Sequence, residues 1–84
     1  MLGKKLNIFK KKKKVQADVG SYVKAATKEG EVTGVLIPFR GKEMVETRSG
    51  IEDIKEITDV TPTQELGDDT QHFVSAVRRR HGIF

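Results

Sequence analysis

Glycine-containing turns divide most of this 84-residue chain into short runs rich in β-forming residues. Glycine supplies the positive φ that a tight hairpin needs, so each run is predicted to be a β-strand that ends at such a turn. The runs cover residues 19–28, 31–39 and 43–48, and the turns are Glu29-Gly30, Arg40-Gly41-Lys42 and Ser49-Gly50.

The second run contains three consecutive large apolar residues, Val35, Leu36 and Ile37. Continuous apolar residues indicate a strand that is buried on both faces, or one that bends around the corner of a barrel. Gly34 is expected to mark the bend. Pro38 lies near the end of the run, where its missing N–H does least harm.

The next apolar residues, Ile51, Ile54, Ile57 and Val60, are spaced by three, which fits neither a plain strand nor a long helix. We expect one helical or 3-10 turn around residues 51–54 that passes into a final strand near residues 55–60, with a short full helix as the alternative. Four to five short strands at this spacing predict a mainly β protein, a small SH3-like or Sm-like barrel.

A C-terminal helix is predicted after a polar linker that begins near Pro62. Acidic residues at the start of a helix and basic residues at its end complement the helix dipole, and a glycine often follows the last turn. The helix is expected either to pack on the barrel or to bind a partner. Its features are Asp68 and Asp69 as caps, an apolar face of Phe73, Ala76 and Val77, basic residues Arg78, Arg79 and Arg80, and then Gly82.

Charge separates the chain into an N-terminal arm (residues 1–14), a barrel (residues 15–62) and a linker with a helix (residues 63–84). The arm has seven lysines and no acidic residue, whereas residues 15–67 have six basic and ten acidic residues. Residues 68–84 have three arginines and two aspartates. Basic character therefore belongs to the two ends of the chain, and nucleic acid or an anionic membrane is expected to bind there first.

Five consecutive lysines, Lys10, Lys11, Lys12, Lys13 and Lys14, repel one another, so the arm is predicted to be flexible. Three interpretations remain open: an arm that binds phosphates, a membrane tether, and a tail that only confers solubility. As a tether, the arm would insert the apolar residues Leu2, Leu6, Ile8 and Phe9 into the headgroup layer.

Four short motifs follow one another in the chain: Val19-Gly20-Ser21-Tyr22-Val23, Gly30, Gly34-Val35-Leu36-Ile37-Pro38 and Glu46-Thr47-Arg48-Ser49-Gly50. Their order resembles the small N-terminal barrel found in the asparaginase-type subunit of archaeal glutamyl-tRNA amidotransferases, over about forty residues. More loosely, it resembles Sm-like and other SH3-like barrels. The catalytic domain of those amidotransferases has no counterpart in this sequence, so the resemblance implies a fold and not an activity.

The usual components of an active site are missing from the sequence, and the protein is not expected to be an enzyme. The chain has no cysteine and two histidines, His72 and His81, and it shows no phosphate-binding glycine loop or cluster of metal ligands. We therefore expect neither a metal nor a cofactor. Since no long apolar segment or signal peptide is evident, a cytoplasmic location is the expectation.

Two functions remain, both of them non-catalytic. The first is a module that binds RNA or another nucleic acid through Lys10 to Lys14, assisted by Arg40, Lys42 and the arginines 78–80. The second is a protein-interaction module in which a barrel edge or the Phe73 helix contacts another protein or a second copy, with the arm on an anionic membrane.

Overall fold

The computed structural model describes residues 15–83, and the predictions for residues 1–14 lie outside this part of the chain. The protein is mainly β, with a C-terminal helix, as the sequence predicts. Its elements are β1 (Tyr22–Thr27), β2 (Gly30–Phe39), β3 (Lys42–Thr47), β4 (Gly50–Asp53), β5 (Glu56–Thr61), a 3-10 turn (Thr63–Glu65) and α1 (Asp68–Arg80).

The five strands form one antiparallel sheet in the order β4-β3-β2-β1-β5. The first four strands follow one another as a meander, and β5 returns to pair with β1 on its other side. The sheet is not closed into a barrel, because among the described residues no strand pairing joins β4 to β5. With only four residues, β4 offers little backbone for closure.

The sheet is nevertheless strongly curved. Asp53 ends β4 and Glu56 begins β5, so three Cα–Cα steps, about 11 Å at most, connect the two edge strands. In a flat sheet, strands four positions apart would lie roughly 19 Å from each other. The two edges must therefore approach each other near Ile54 and Lys55.

Two hydrophobic clusters lie on opposite faces of the sheet. The curved strands enclose the first, which is built on Val23, Ala25, Leu36 and Val45. Helix α1 covers the second, in which Val74 and Val77 pack against Val35 and Ile37 of β2. The uninterrupted apolar run of β2 is thus explained, because Leu36 serves one face while its two neighbours serve the other.

Gly34 lies at a close approach of β2 to β3. A Cβ atom at this position would collide with the backbone oxygen of Glu46 and would lie 2.8 Å from Cγ1 of Val45. No other residue type fits there without moving β3.

The helical turn predicted around residues 51–54 is wrong. Residues Gly50–Asp53 form β4 and pair with β3, with Glu46 opposite Ile51. The hairpin is held by Thr47, whose hydroxyl donates to the carbonyl oxygen of Gly50 (2.9 Å). Ile51 is 36% exposed and not inward-facing, whereas the other three residues of the spaced series pack against the first cluster.

Helix α1 packs on the sheet through a face slightly different from the predicted one. Val74 and Val77 are fully buried and Phe73 is half-buried, but Ala76 is exposed. The N-cap is Gly67 and makes no side-chain capping bond, so the predicted aspartate cap is also wrong, and both aspartates lie in the first turn. None of the helices in residues 15–83 is long and apolar enough to span a membrane.

Candidate interaction site

Arg78, one of the predicted anion-binding residues, is part of the protein's internal packing. Its Nε donates a hydrogen bond to the carbonyl oxygen of Gly20 (2.9 Å), and one terminal nitrogen donates to Oγ1 of Thr63 (3.3 Å). Both contacts are partly buried. The guanidinium therefore connects α1 to the segments before β1 and after β5.

Arg80 and His81 both contact Glu46 of β3. No sequence pattern indicated that His81 would lie beside Glu46. A terminal nitrogen of Arg80 lies 2.7 Å from one carboxylate oxygen of Glu46, and Nε2 of His81 lies 2.7 Å from the other. The Glu46 side chain is only 12% exposed. These contacts attach the end of the helix to β3, whereas the neighbouring Arg79 is exposed.

The remaining predicted residues of this set, Arg40 and Lys42, flank the β2–β3 turn. Arg40 has a φ of 56° and lies with its guanidinium carbon 5.4 Å from the centre of the Phe39 ring. Lys42 forms an exposed ion pair with Asp53 of β4 (3.1 Å). Lys42 and Glu46 lie four residues apart on β3, about 13 Å along an extended strand. The ion pair of Lys42 and the contact of Arg80 with Glu46 therefore lie toward opposite ends of β3.

Arg48 is a further residue with a specific role that the sequence did not reveal. Its guanidinium lies 4.7 Å from the centre of the Phe73 ring and 3.0 Å from a carboxylate oxygen of Asp69. It thereby attaches the beginning of α1 to the end of β3. No local sequence pattern predicts this pairing, because the residues come from elements that meet only in the folded protein.

The outer side of β5 is the longer of the two edges of the sheet, with six residues against four in β4. Its inner edge pairs with β1, with one irregularity in register at Lys24 and Ala25. On the other side no strand of residues 15–83 pairs with it. An unpaired edge presents N–H and C=O groups that can bind another extended chain.

Acidic side chains outnumber basic ones around β5. Glu56 and Asp59 of β5 are exposed, and Glu31 of β2 reaches β5 from the side of β1, with its carboxylate 3.4 Å from the hydroxyl of Thr58. Lys24, opposite Asp59 in the β1–β5 register, and the exposed Lys55, directly before Glu56, offset part of this charge. The balance stays negative, so a basic segment is the complementary ligand.

A cleft of about 310 Å³ opens beside the same strand. It is lined by Val15, Gln16 and Ala17 from the beginning of the described chain, by Glu43 of β3 and by Ile57 of β5. Residues of both β3 and β5 thus line the same cleft. It is also the place where residue 14 joins the described part of the protein.

The predicted arm residues, Lys10 to Lys14 with Leu2, Leu6, Ile8 and Phe9, lie outside the described residues. Within residues 15–83, no group of three or more histidine, cysteine, aspartate or glutamate side chains could hold a metal ion. Comparisons with protein-family models, with curated proteins and with solved structures found no match for this chain.

Proposed function

We propose that this chain is a non-catalytic interaction module that binds an extended, basic segment of a partner protein at the outer edge of β5. The observation that carries the proposal is the six-residue edge strand β5, whose outer side has no strand partner in residues 15–83 and which carries the exposed Glu56 and Asp59. Addition of a strand to a free edge is a general mode of peptide recognition.

The two components of such an edge have different roles. Backbone hydrogen bonds to β5 supply affinity for any extended chain, and the acidic side chains select a basic one. Pairing of two β5 edges from identical copies would bring the acidic residues of both copies close together, and the proximity of like charges is unfavourable. The charge pattern therefore favours a different, basic partner over self-association.

The helix surface is a weaker candidate for partner binding. Val74 and Val77 are buried against β2, and Phe73 packs between the sheet and Arg48. A partner that used this face would first have to displace the helix from its own sheet. This is the reason for preferring the edge to the Phe73 helix.

The proposal is tested by titrating the ¹⁵N-labelled full chain with an extended peptide of alternating lysine and threonine. We expect shifts in the backbone amide signals of Glu56–Thr61, and roughly tenfold weaker binding after Glu56→Lys with Asp59→Lys. The matched control is Glu65→Lys with Asp68→Lys, which makes the same charge change outside β5. Equal weakening by both pairs, or no shifts in β5, would contradict the proposal.

We also propose that the domain is a small barrel of the SH3-like or Sm-like kind, related to the N-terminal barrel of the archaeal amidotransferases. The return of β5 to β1 and the short connection between the edge strands support this classification. Nuclear Overhauser contacts between Glu43 and Ile57, which line one cleft, would test the closeness of β3 and β5. Their absence would favour a flatter sheet.

Nucleic-acid binding through Lys10 to Lys14 is the second candidate. It is supported by residues 1–14, which contain seven lysines and no acidic residue. The folded part is expected to contribute little to nucleic-acid binding, because Arg78 forms internal hydrogen bonds and Lys42 and Arg80 form ion pairs. Mixed single-stranded RNA should bind the full chain with a steep salt dependence, and replacement of the five lysines by glutamine should abolish binding. Salt-independent binding would reject this candidate.

An anionic membrane would bind the same lysines but would also require Leu2, Leu6, Ile8 and Phe9. Vesicles containing phosphatidylserine distinguish it from RNA, because replacing these apolar residues by serine should abolish vesicle binding and leave RNA binding unchanged. A cytoplasmic location would suit either candidate and is proposed with them.

A further inference from the structure

We propose that, in the free protein, Lys10–Lys14 of the same chain bind along the acidic edge of β5 and occupy the site that a basic partner would use. The inference rests on the proposed function of that edge and names the segment that binds there in the free protein. It follows from where the described chain begins, from the reach of five residues and from the charges around β5.

The first argument is position. Val15 lines the cleft together with Ile57, so the last lysine of the run is bonded directly to a residue of this cleft. Five extended residues span about 17 Å, and the six residues of β5 span about 20 Å. The lysine run can therefore cover most of the edge without any change in the described part of the chain.

The second argument is charge. Glu43 lines the cleft, Glu56 and Asp59 are exposed on β5, and Glu31 lies beside Thr58. The lysine run has five positive charges and no acidic neighbour in residues 1–14. The arm and the side chains around β5 are therefore opposite in charge, and the arm joins the described chain beside Glu43 and Ile57.

The contact is expected to be reversible and sensitive to salt. Individual exposed ion pairs are weak and are screened by salt. A covalently attached segment, however, has an effective local concentration on the order of millimolar, so a weak contact is still populated. A polyanion that binds the lysines would uncover the edge, and a basic partner would have to compete with the arm.

Spin labelling tests the proposal directly in the full chain. The protein has no cysteine, so Asn7→Cys provides a unique attachment point for a nitroxide in the arm. At low salt we expect broadening of the amide signals of residues 56–60, and its loss at high salt. Broadening should also be lost when the five lysines are glutamine, and it should weaken with Glu56→Gln plus Asp59→Asn.

The matched control, Glu65→Gln with Asp68→Asn, should leave the broadening unchanged. The proposal would be overturned if the β5 signals are not broadened in the spin-labelled chain that keeps all of its lysines. It would also be overturned if the broadening persists after Lys10–Lys14 are replaced by glutamine. A mixture of spin-labelled chain at natural isotope abundance with ¹⁵N-enriched chain that carries no spin label tests whether the contact is intramolecular. Broadening in that mixture would mean that the arm binds a second copy, and the proposal would be wrong.

The same samples separate this inference from the proposed function. The lysine-threonine peptide is titrated into the variant with five glutamines, in which the arm no longer competes for the edge. Peptide binding at β5 without any contact from the arm would leave the proposed function standing and overturn only the inference. Loss of both would reject both.

Discussion

At the scale of single residues, Gly34 illustrates how one missing side chain permits the close approach of β2 and β3. The backbone oxygen of Glu46 occupies the position that a side chain would need, and Val45 lies close by. Since Val45 is itself fully buried, β3 cannot move away without disturbing the first cluster.

Gly34→Ala is therefore expected to destabilise the protein by about 1–3 kcal/mol, the usual cost of inserting atoms into a packed site. Urea unfolding followed by circular dichroism measures the change. Gly67→Ala is the control, because nothing lies within 4 Å of its added Cβ. A loss at position 34 no larger than that at position 67 would show that β3 yields readily.

At the scale of elements, polar contacts at both ends of α1 fix the helix on the sheet. Arg48 holds its beginning, and Arg78, Arg80 and His81 hold its end. Between them, Val74 and Val77 supply the apolar contact with β2. The arginines at the end of the helix thus have different roles, although they are consecutive in sequence.

Arg78→Ala is expected to destabilise the protein by about 1.5–3 kcal/mol, because the carbonyl of Gly20 loses a charged donor. Arg79→Ala, at the neighbouring exposed position, should change stability by less than about 0.5 kcal/mol. Thermal unfolding of both variants tests the assignment. Equal effects would mean that the internal hydrogen bonds of Arg78 contribute nothing to stability.

At the scale of the whole molecule, the central feature is the division between an acidic folded domain and a basic arm. The open sheet has acidic residues on the edge strand β5, and the same chain contains the basic run Lys10–Lys14. If the arm occupies the edge, the apparent affinity for an external basic peptide is reduced by the fraction of molecules whose edge is covered.

Replacing the five lysines by glutamine should therefore raise the affinity for the lysine-threonine peptide by about three- to tenfold at low salt. The control replaces Lys4 and Lys5, which lie outside the run. Calorimetry at low and high salt measures both variants, and the difference should shrink as salt screens the arm. An unchanged or lower affinity in the glutamine variant contradicts competition by the arm.

The sequence by itself determined the features that depend on local conformation. The hairpin turns at Gly30, Gly41 and Gly50, each with positive φ, follow from the freedom of glycine. Burial of β2 on both faces follows from its continuous apolar run, and the extent of α1 from its polar beginning and from Gly82 beyond its end. Each of these depends on residues close together in the chain.

Only the tertiary structure decided the features that depend on distant contacts. Pairing with β3 makes residues 50–53 a strand, although their apolar spacing suggests a turn. The contacts of Arg78 with Gly20 and of Arg48 with Phe73 join segments far apart in sequence. The open outer edge of β5 likewise depends on the order of the strands in the folded sheet. A sequence pattern records how apolar each residue is, but not which distant group it will meet, and that is decided when the sheet curves and the helix packs on it.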